Sequence, residues 1–146
     1  MTPGYSGTPL AKKLGLKDGM RVWWDGIPES VASEIGAEGR QLQHLGSLEA
    51  PIDEAHVFVT EHSDLEAKLT QLLPLLDPAG MIWVSWPKKA SKVPTDITED
   101  LIRDVCLPMG LVDVKVCAVD ETWSGLKLVV RLKNRRKKIA SPKGTR

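Results

Sequence analysis

Hydrophobic residues along this chain follow two different periods. Short apolar runs rich in β-branched and aromatic residues predict strands, and stretches with an apolar residue every three or four positions predict helices. In chain order the pattern predicts a helix over 8–15, a strand over 20–24, a helix over 26–36, a weak strand over 40–45, a strand over 55–60, a helix from 63, a strand from 81, a helix from 96, and strands over 112–118 and 126–132. Strands that alternate with helices need crossover connections, so the pattern predicts a mainly parallel sheet.

The last two predicted strands are joined differently from the others. Only the tight turn over 120–125 separates them, so they must run antiparallel. The predicted fold class is therefore α/β: an open, mainly parallel, three-layer sheet with a C-terminal antiparallel hairpin. At 146 residues the chain has the length of one domain, to which we assign residues 1–132.

Local signals place several boundaries. Ser63 with Glu66, and Asp96 with Glu99, match capping boxes that begin helices. The run Asp77-Pro78-Ala79-Gly80 predicts a break before the strand that starts at Met81.

Side-chain alternation gives two further expectations about strands. Trp23 and Trp24 are neighbours in a strand and must point to opposite faces of the sheet. Apolar residues alternate with polar ones over 112–118, which predicts a strand with one covered face.

Charge is unevenly distributed along the sequence. From Arg131 onward there are eight Lys and Arg and no acids, whereas residues 1–130 carry 12 bases and 19 acids, a net charge of −7. Residues 133–146 lack apolar periodicity, so we interpret them as a disordered basic tail. Such a tail can bind nucleic acid, although it has no aromatic residue to stack on bases. The alternative is a solvated tail without a dedicated partner.

Other compositional features bear on location. No apolar run approaches the roughly 20 residues that span a bilayer, and the N-terminus does not resemble a signal peptide. Cys106 and Cys117 lie in apolar periodic segments and are interpreted as buried free thiols. We therefore expect a cytoplasmic protein without a membrane partner.

Candidate binding residues follow the predicted strand ends. Ligands of open α/β sheets bind beyond the carboxyl ends of the strands. A glycine-containing loop at the start of the first helix is a potential anion cradle at the same edge. The predicted ligand-binding residues are Tyr5, Gly7, Thr8, Asp25, Glu61, His62, Trp86, Lys88 and Trp123. The alternative is that Thr8 only caps its helix, His62 is a loop residue without a role, and Trp123 only covers the core.

Signals for specific chemistry are weak. Ser85-Trp86-Pro87-Lys88 matches Ser-x-x-Lys, but Ser124-Gly125-Leu126-Lys127 does too, and neither serine begins a predicted helix. The histidines and cysteines show no metal-ligand spacing. The sequence therefore predicts no metal and identifies no catalytic residue.

Two segments are similar to class I S-adenosylmethionine (SAM)-dependent methyltransferases. The segment 72–84, with its Asp77-Pro78-Ala79-Gly80 turn, resembles their helix, Pro-Gly turn and fifth strand, and the terminal hairpin resembles their sixth and seventh strands. The resemblance implies a reduced Rossmann, methyltransferase-like layout that is one strand short here. However, the turn over 25–30 has one glycine and a proline where that superfamily has a glycine-rich turn. We therefore expect no cofactor in the usual pose.

Three other segments resemble a family of small bacterial proteins catalogued only as a domain of unknown function. They are 5–15, 85–89 and 120–125, and this resemblance covers residues 4 to about 132 without implying an activity.

Three functional hypotheses follow. The first is a non-catalytic methyltransferase-like domain that binds a small anionic ligand or a protein partner at the carboxyl edge. The second is a divergent SAM-dependent methyltransferase. The third is a nucleic-acid-associated protein that acts through residues 133–146.

Overall fold

A computed structural model describes residues 8–131, which form one six-stranded sheet with helices on both faces. The strands are β1 (Arg21–Asp25), β2 (Gln43–His44), β3 (Ile52–Phe58), β4 (Leu76–Pro87), β5 (Leu111–Ala118) and β6 (Trp123–Val130). The α-helices are α1 (Leu10–Lys13), α2 (Glu29–Gly36), α3 (His62–Leu72) and α4 (Glu99–Cys106). Tyr5 and Gly7 of the predicted site and the basic tail lie outside the described residues.

The strand order is β2-β1-β3-β4-β6-β5. The first four strands in this order pair in parallel, and β6 runs antiparallel to both β4 and β5. This arrangement confirms the predicted fold class, including the C-terminal hairpin. Within this part of the chain, no helix is long and apolar enough to cross a membrane.

Each face of the sheet packs against its own pair of helices. Leu10 and Leu14, from α1 and the residue after it, and Ile35 of α2 pack on one face, the α1–α2 face. On the α3–α4 face, Leu69 and Ile102 pack against the other side of β3 and β4. Trp23 belongs to the α3–α4 face and Trp24 to the α1–α2 face, as the strand alternation predicts.

The predicted break over 77–80 is wrong, because β4 already begins at Leu76. Leu76 pairs with Ile52, and the register shifts before Met81 pairs with Glu54. A Cβ at Gly80 would lie 2.9 Å from the carbonyl oxygen of Ile52 and 3.0 Å from that of Asp53. Gly80 therefore allows the backbones of β3 and β4 to approach closely where their register shifts. The glycine in the sequence indicates this register shift and not a break before the strand.

Neither predicted capping box forms. The N-cap of α3 is Glu61, and Asp96 Oδ1 accepts a hydrogen bond from the His62 backbone N–H at 2.8 Å. The N-cap of α4 is Thr98, whose Oγ1 accepts from Leu101 N–H at 3.1 Å. Asp96 therefore satisfies a donor of a distant helix instead of beginning the next one.

This assignment predicts a difference between two otherwise similar substitutions. Thr98→Ala should lower the free energy of unfolding by about 1 kcal/mol, because a first-turn amide of α4 loses its acceptor. Ser63→Ala should change it by less than about 0.5 kcal/mol, since Ser63 is exposed and lies inside α3 rather than at its cap. Urea denaturation followed by circular dichroism measures both, and an equal loss would contradict the assignment.

The predicted covered face of the last but one strand is also wrong. The register of β5 against β6 shifts between Asp113 and Lys115, which changes the face to which the following residues point. As a result Val114 and Val116 are 53% and 48% exposed on this edge strand. Both cysteines are free thiols as predicted, but Cys117 is half-buried rather than buried.

Candidate functional site

The carboxyl ends of β1, β3 and β4 meet at one edge of the sheet, as the predicted site requires. Asp25 pairs with Val57 near the ends of β1 and β3. Pro87 ends β4 and pairs with Trp123, where the antiparallel strand β6 begins. Six of the predicted residues follow from these strand ends and lie at or near this edge: Asp25, Glu61, His62, Trp86, Lys88 and Trp123.

On the α3–α4 face, the acidic side chains are exposed or already paired. Asp25 Oδ2 forms a salt bridge of 3.1 Å with Lys68 Nζ of α3. Glu61 and His62 are exposed at the start of α3. Trp86, in contrast, is only 8% exposed and packs in the core of this face. Trp86 therefore stabilises the core and does not form the wall of an open cleft.

Trp123 packs on the opposite face of the sheet. Its ring is half-buried and contacts the Phe58 ring edge to face, with centroids 5.1 Å apart. Asp120 Oδ1 accepts hydrogen bonds from the backbone N–H groups of Thr122 and Trp123, both at 2.8 Å. The indole is thereby held over the core. Thr8, just before α1, belongs to the same face.

Lys88 connects the end of β4 to the hairpin. Its backbone N–H donates to the Thr122 carbonyl at 2.8 Å. Its side chain is half-buried, and neither its ammonium group nor that of Lys89 forms an ion pair within residues 8–131. Lys88 and Lys89 are thus available as cationic groups at this edge. The sheet separates Asp25, Glu61 and His62 from Thr8 and Trp123, so the predicted residues flank the edge on two sides.

The turn after β1 is packed against protein. Gly26 has a φ of +72°, and a Cβ there would lie 3.2 Å from the Phe58 carbonyl oxygen, so the glycine allows close approach to β3. Ile27 packs against the core of the α1–α2 face. Pro28 is the N-cap of α2 and carries no N–H, and Glu29 places a negative charge in the first turn of that helix.

Three polar residues that the sequence did not indicate as a group lie buried beneath this edge. Glu54, His56 and Ser85 are completely buried on the α1–α2 face. His56 Nε2 lies 2.7 Å from Ser85 Oγ, and Trp24 Nε1 donates to Glu54 Oε1 at 2.8 Å. Glu54 Oε2 and His56 Nδ1 are 4.0 Å apart, and neither atom has a hydrogen-bond partner. The three side chains form one polar line across β3 and β4.

Burial determines the protonation states of Glu54 and His56. It raises the pKa of Glu54 to about 8, although the hydrogen bond from Trp24 acts in the opposite direction. It lowers the pKa of His56 to about 3. At neutral pH Glu54 is therefore mostly protonated and His56 neutral, so a carboxyl O–H faces an imidazole nitrogen.

Glu54, His56 and Ser85 are the residue types of an acyl-transfer triad, but a substrate cannot reach them. A nucleophile must reach its substrate, and Ser85 is 0% exposed beneath the core of the α1–α2 face. His56 also stacks on Phe58 with centroids 4.4 Å apart, which covers it from the carboxyl edge. We therefore assign Glu54, His56 and Ser85 to the core. The signal in the sequence was Glu54 and His56 two positions apart in an apolar strand, which places both on one face.

Comparisons with known proteins agree on the fold. No protein-family model matches the chain, and no curated protein matches its sequence. A SAM-dependent methyltransferase from Aquifex aeolicus is similar in structure, with a TM-score of 0.55, 17% identity, and coverage of 83% of this chain and 88% of that one. Magnesium protoporphyrin IX methyltransferase from Synechocystis PCC 6803, with bound SAM, has a TM-score of 0.54 at 13% identity and covers 83% and 74%.

Another similar structure is a pericyclic reaction enzyme, with a TM-score of 0.50, 10% identity, and coverage of 85% of this chain and 47% of that one. Proteins of this shape thus include one that is named for a reaction other than methyl transfer, so the shape alone does not specify the chemistry. At these identities the likeness shows the fold alone, and residues 8–131 have a methyltransferase-like Rossmann fold.

Proposed function

We propose that this chain is a methyltransferase-like domain without methyl-transfer activity that binds a small anionic ligand at the carboxyl edge of its sheet. A protein partner at the same edge is the second candidate. The proposal rests mainly on the turn after β1, where methyltransferase-like folds bring backbone close to a cofactor. Gly26 instead approaches the backbone of β3, and Ile27 fills the adjacent core.

The first turn of α2 is also unsuited to a phosphate or carboxylate group. Pro28 offers no donor, the N–H groups of Val31 and Ala32 bond to the Pro28 carbonyl at 3.0 Å, and Glu29 would repel an anion. The unpaired ammonium groups of Lys88 and Lys89 favour an anion at the other end of the edge, where β4 stops. A divergent SAM-dependent methyltransferase remains the alternative, supported by the shared fold of SAM-bound structures.

A thermal-shift comparison tests the proposal. SAM and S-adenosylhomocysteine at millimolar concentration should leave the melting temperature unchanged, whereas at least one of ATP, AMP, inorganic phosphate or pyrophosphate should raise it. A ligand at 100 times its dissociation constant adds about 2.7 kcal/mol of stability. A rise in melting temperature with SAM or S-adenosylhomocysteine would show that the fold has a cofactor site and would refute the proposal.

A matched pair of variants locates the binding. Lys88→Gln with Lys89→Gln should remove most of the anion-dependent shift, because the proposed contacts are lost. The control is Lys12→Gln with Lys17→Gln, which removes the same charge from two exposed lysines that lie before β1 and away from the end of β4. Equal loss in both variants, or no shift with any anion, would refute an anion site at this edge.

A further inference from the structure

An open groove of about 350 Å³ lies between α3 and α4, and its floor is apolar. Leu101, Val105 and Met109 follow one another at intervals of four positions, so they form one stripe along α4 and the turn after it. All three are half-buried and pack against the core beneath them. At the helical rise of about 1.5 Å per residue the stripe is about 12 Å long.

Two carboxylates line the groove, one on each helix. Glu66 lies on the side of α3 that also carries His62 and Thr70, four positions before and after it, and Asp104 lies on α4. Both acids are exposed, and within residues 8–131 neither carboxylate forms an ion pair or a hydrogen bond. In this part of the chain, no lysine or arginine lines the groove.

The lysine and the arginine of these two helices already have acidic partners. Lys68 Nζ of α3 forms a salt bridge of 3.1 Å with Asp25 at the end of β1. Arg103 of α4 forms salt bridges with Asp113 at 2.8 Å and with Asp100 at 3.1 Å. The fold therefore neutralises the cations of α3 and α4 but leaves the two acids of the groove without a positive partner.

We propose that this groove binds a cationic amphipathic helix of a partner protein. Apolar residues of that helix, spaced three or four positions apart, cover the stripe, as in other helix-in-groove complexes. Lysine or arginine residues on both sides of its apolar face pair with Glu66 and Asp104, since complementary charges fix the orientation of such a helix. Nucleic acid and anionic membranes are unsuitable, because both place phosphate groups beside these carboxylates.

This surface follows the two helices away from the carboxyl edge of the sheet. It uses neither Lys88 nor Lys89, so it is independent of the anion site proposed above. Failure of one proposal therefore leaves the other intact.

Peptide selection with two competing variants tests the proposal. A phage-displayed library of random peptides of about 12 residues, enough for about three helical turns, is selected on the immobilised full chain. An excess of free Thr70→Lys chain, whose groove carries a new cation, should remove peptides that bind elsewhere and leave those that bind the groove. Gln71→Lys adds the same charge at the next exposed residue of α3, outside the groove, and as competitor should remove the groove peptides too.

The selected peptides should combine lysine or arginine with apolar residues three or four positions apart. Their affinity is measured by fluorescence anisotropy between about 50 and 200 mM NaCl. Glu66→Gln with Asp104→Asn should bind about tenfold more weakly at the lowest salt and lose most of the salt dependence. Glu29→Gln with Glu121→Gln removes the same charge from two exposed acids outside the groove, and should retain the wild-type salt dependence.

Four outcomes would overturn this assignment. If no peptide survives competition by the Thr70→Lys chain, the groove binds no helix. Surviving peptides without lysine or arginine, or with unchanged affinity for the Glu66 and Asp104 variant, would contradict a cationic partner. An equal loss in the Glu29 and Glu121 variant would show a dependence on net charge alone. A dimer of the full chain that Thr70→Lys dissociates would assign the groove to a second copy of this chain instead. The circular dichroism spectrum of each variant confirms that the fold is retained.

Discussion

Replacing Trp83 with alanine is expected to lower the free energy of unfolding by about 3–5 kcal/mol, the loss typical of a large aromatic side chain removed from a core. Trp83 is completely buried in β4, and its indole N–H donates to the Leu14 carbonyl at 2.9 Å. The ring also packs against the backbone of β6, where a Cβ at Gly125 would lie 3.2 Å from Trp83 Cε3. The variant therefore leaves a cavity where three elements meet and leaves a buried carbonyl without its donor.

Two further variants separate packing from hydrogen bonding. Trp83→Phe keeps most of the ring but not the N–H, and should cost about 1–3 kcal/mol. Trp123→Ala is the control for an aromatic residue at the surface, and it should cost less than Trp83→Ala because Trp123 is half-buried. Urea denaturation measures all three free energies. A loss for Trp83→Ala well below the range typical of buried aromatic residues would contradict the role of Trp83 as the centre of this core.

Periodicity predicted the sheet well, because the pattern is a direct consequence of which faces are buried. Leu65, Leu69 and Leu72 recur every three or four positions in the helix predicted from 63, and all three are completely buried on one face of α3. The adjacent tryptophans of β1 point to opposite faces, as strand geometry requires. These features depend on spacing within one element, which a single sequence contains.

Features that depend on two distant elements were missed. Asp96 and Glu99 looked like a local capping pair, yet Asp96 bonds to the start of α3, which lies 34 residues earlier. The break assigned to Gly80 is a close approach between β3 and β4, visible only when both strands are placed. Turn residues report a local backbone requirement, but not whether the chain turns or another strand comes near.

At the candidate site, too, features of single strands were predicted, and contacts between distant elements were missed. Strand ends predicted which residues lie at the carboxyl edge, since that follows from a parallel sheet. They did not predict that Trp86 would face the α3–α4 core or that Asp25 would pair with Lys68. The line of Glu54, His56 and Ser85 was missed because its burial depends on the neighbouring strand and on α1.

That buried line predicts a stability profile with two opposed arms. The pKa of Glu54 is raised in the folded state, so between about 4.5 and 8 the folded chain binds more protons at this residue than the unfolded chain, and stability falls as pH rises. The pKa of His56 is lowered, so between about 3 and 6.5 the unfolded chain binds more protons there, and stability rises with pH. The two effects cancel between about 4.5 and 6.5, where these groups contribute a plateau.

Outside this plateau only one of the two residues changes the free energy of unfolding with pH. From pH 6.5 to 8 Glu54 alone should lower the free energy of unfolding by about 1.4 kcal/mol per pH unit, or about 2 kcal/mol in total. Below 4.5 His56 alone should lower it at the same rate as the pH falls towards 3. Glu54→Gln isolates the first effect, because glutamine keeps an acceptor for Trp24 and a donor towards His56 but cannot ionise.

The difference in unfolding free energy between the wild type and Glu54→Gln, measured by urea denaturation from pH 5 to 8, is the decisive quantity. Contributions from all other titrating groups are common to both proteins and cancel. The difference should change in favour of Glu54→Gln by about 1.4 kcal/mol per pH unit, which is about 2 kcal/mol between pH 5 and 6.5 and about 2 kcal/mol more between pH 6.5 and 8. A difference independent of pH would mean that the pKa of Glu54 is not raised in the fold, and therefore that its carboxyl group is ionised at neutral pH.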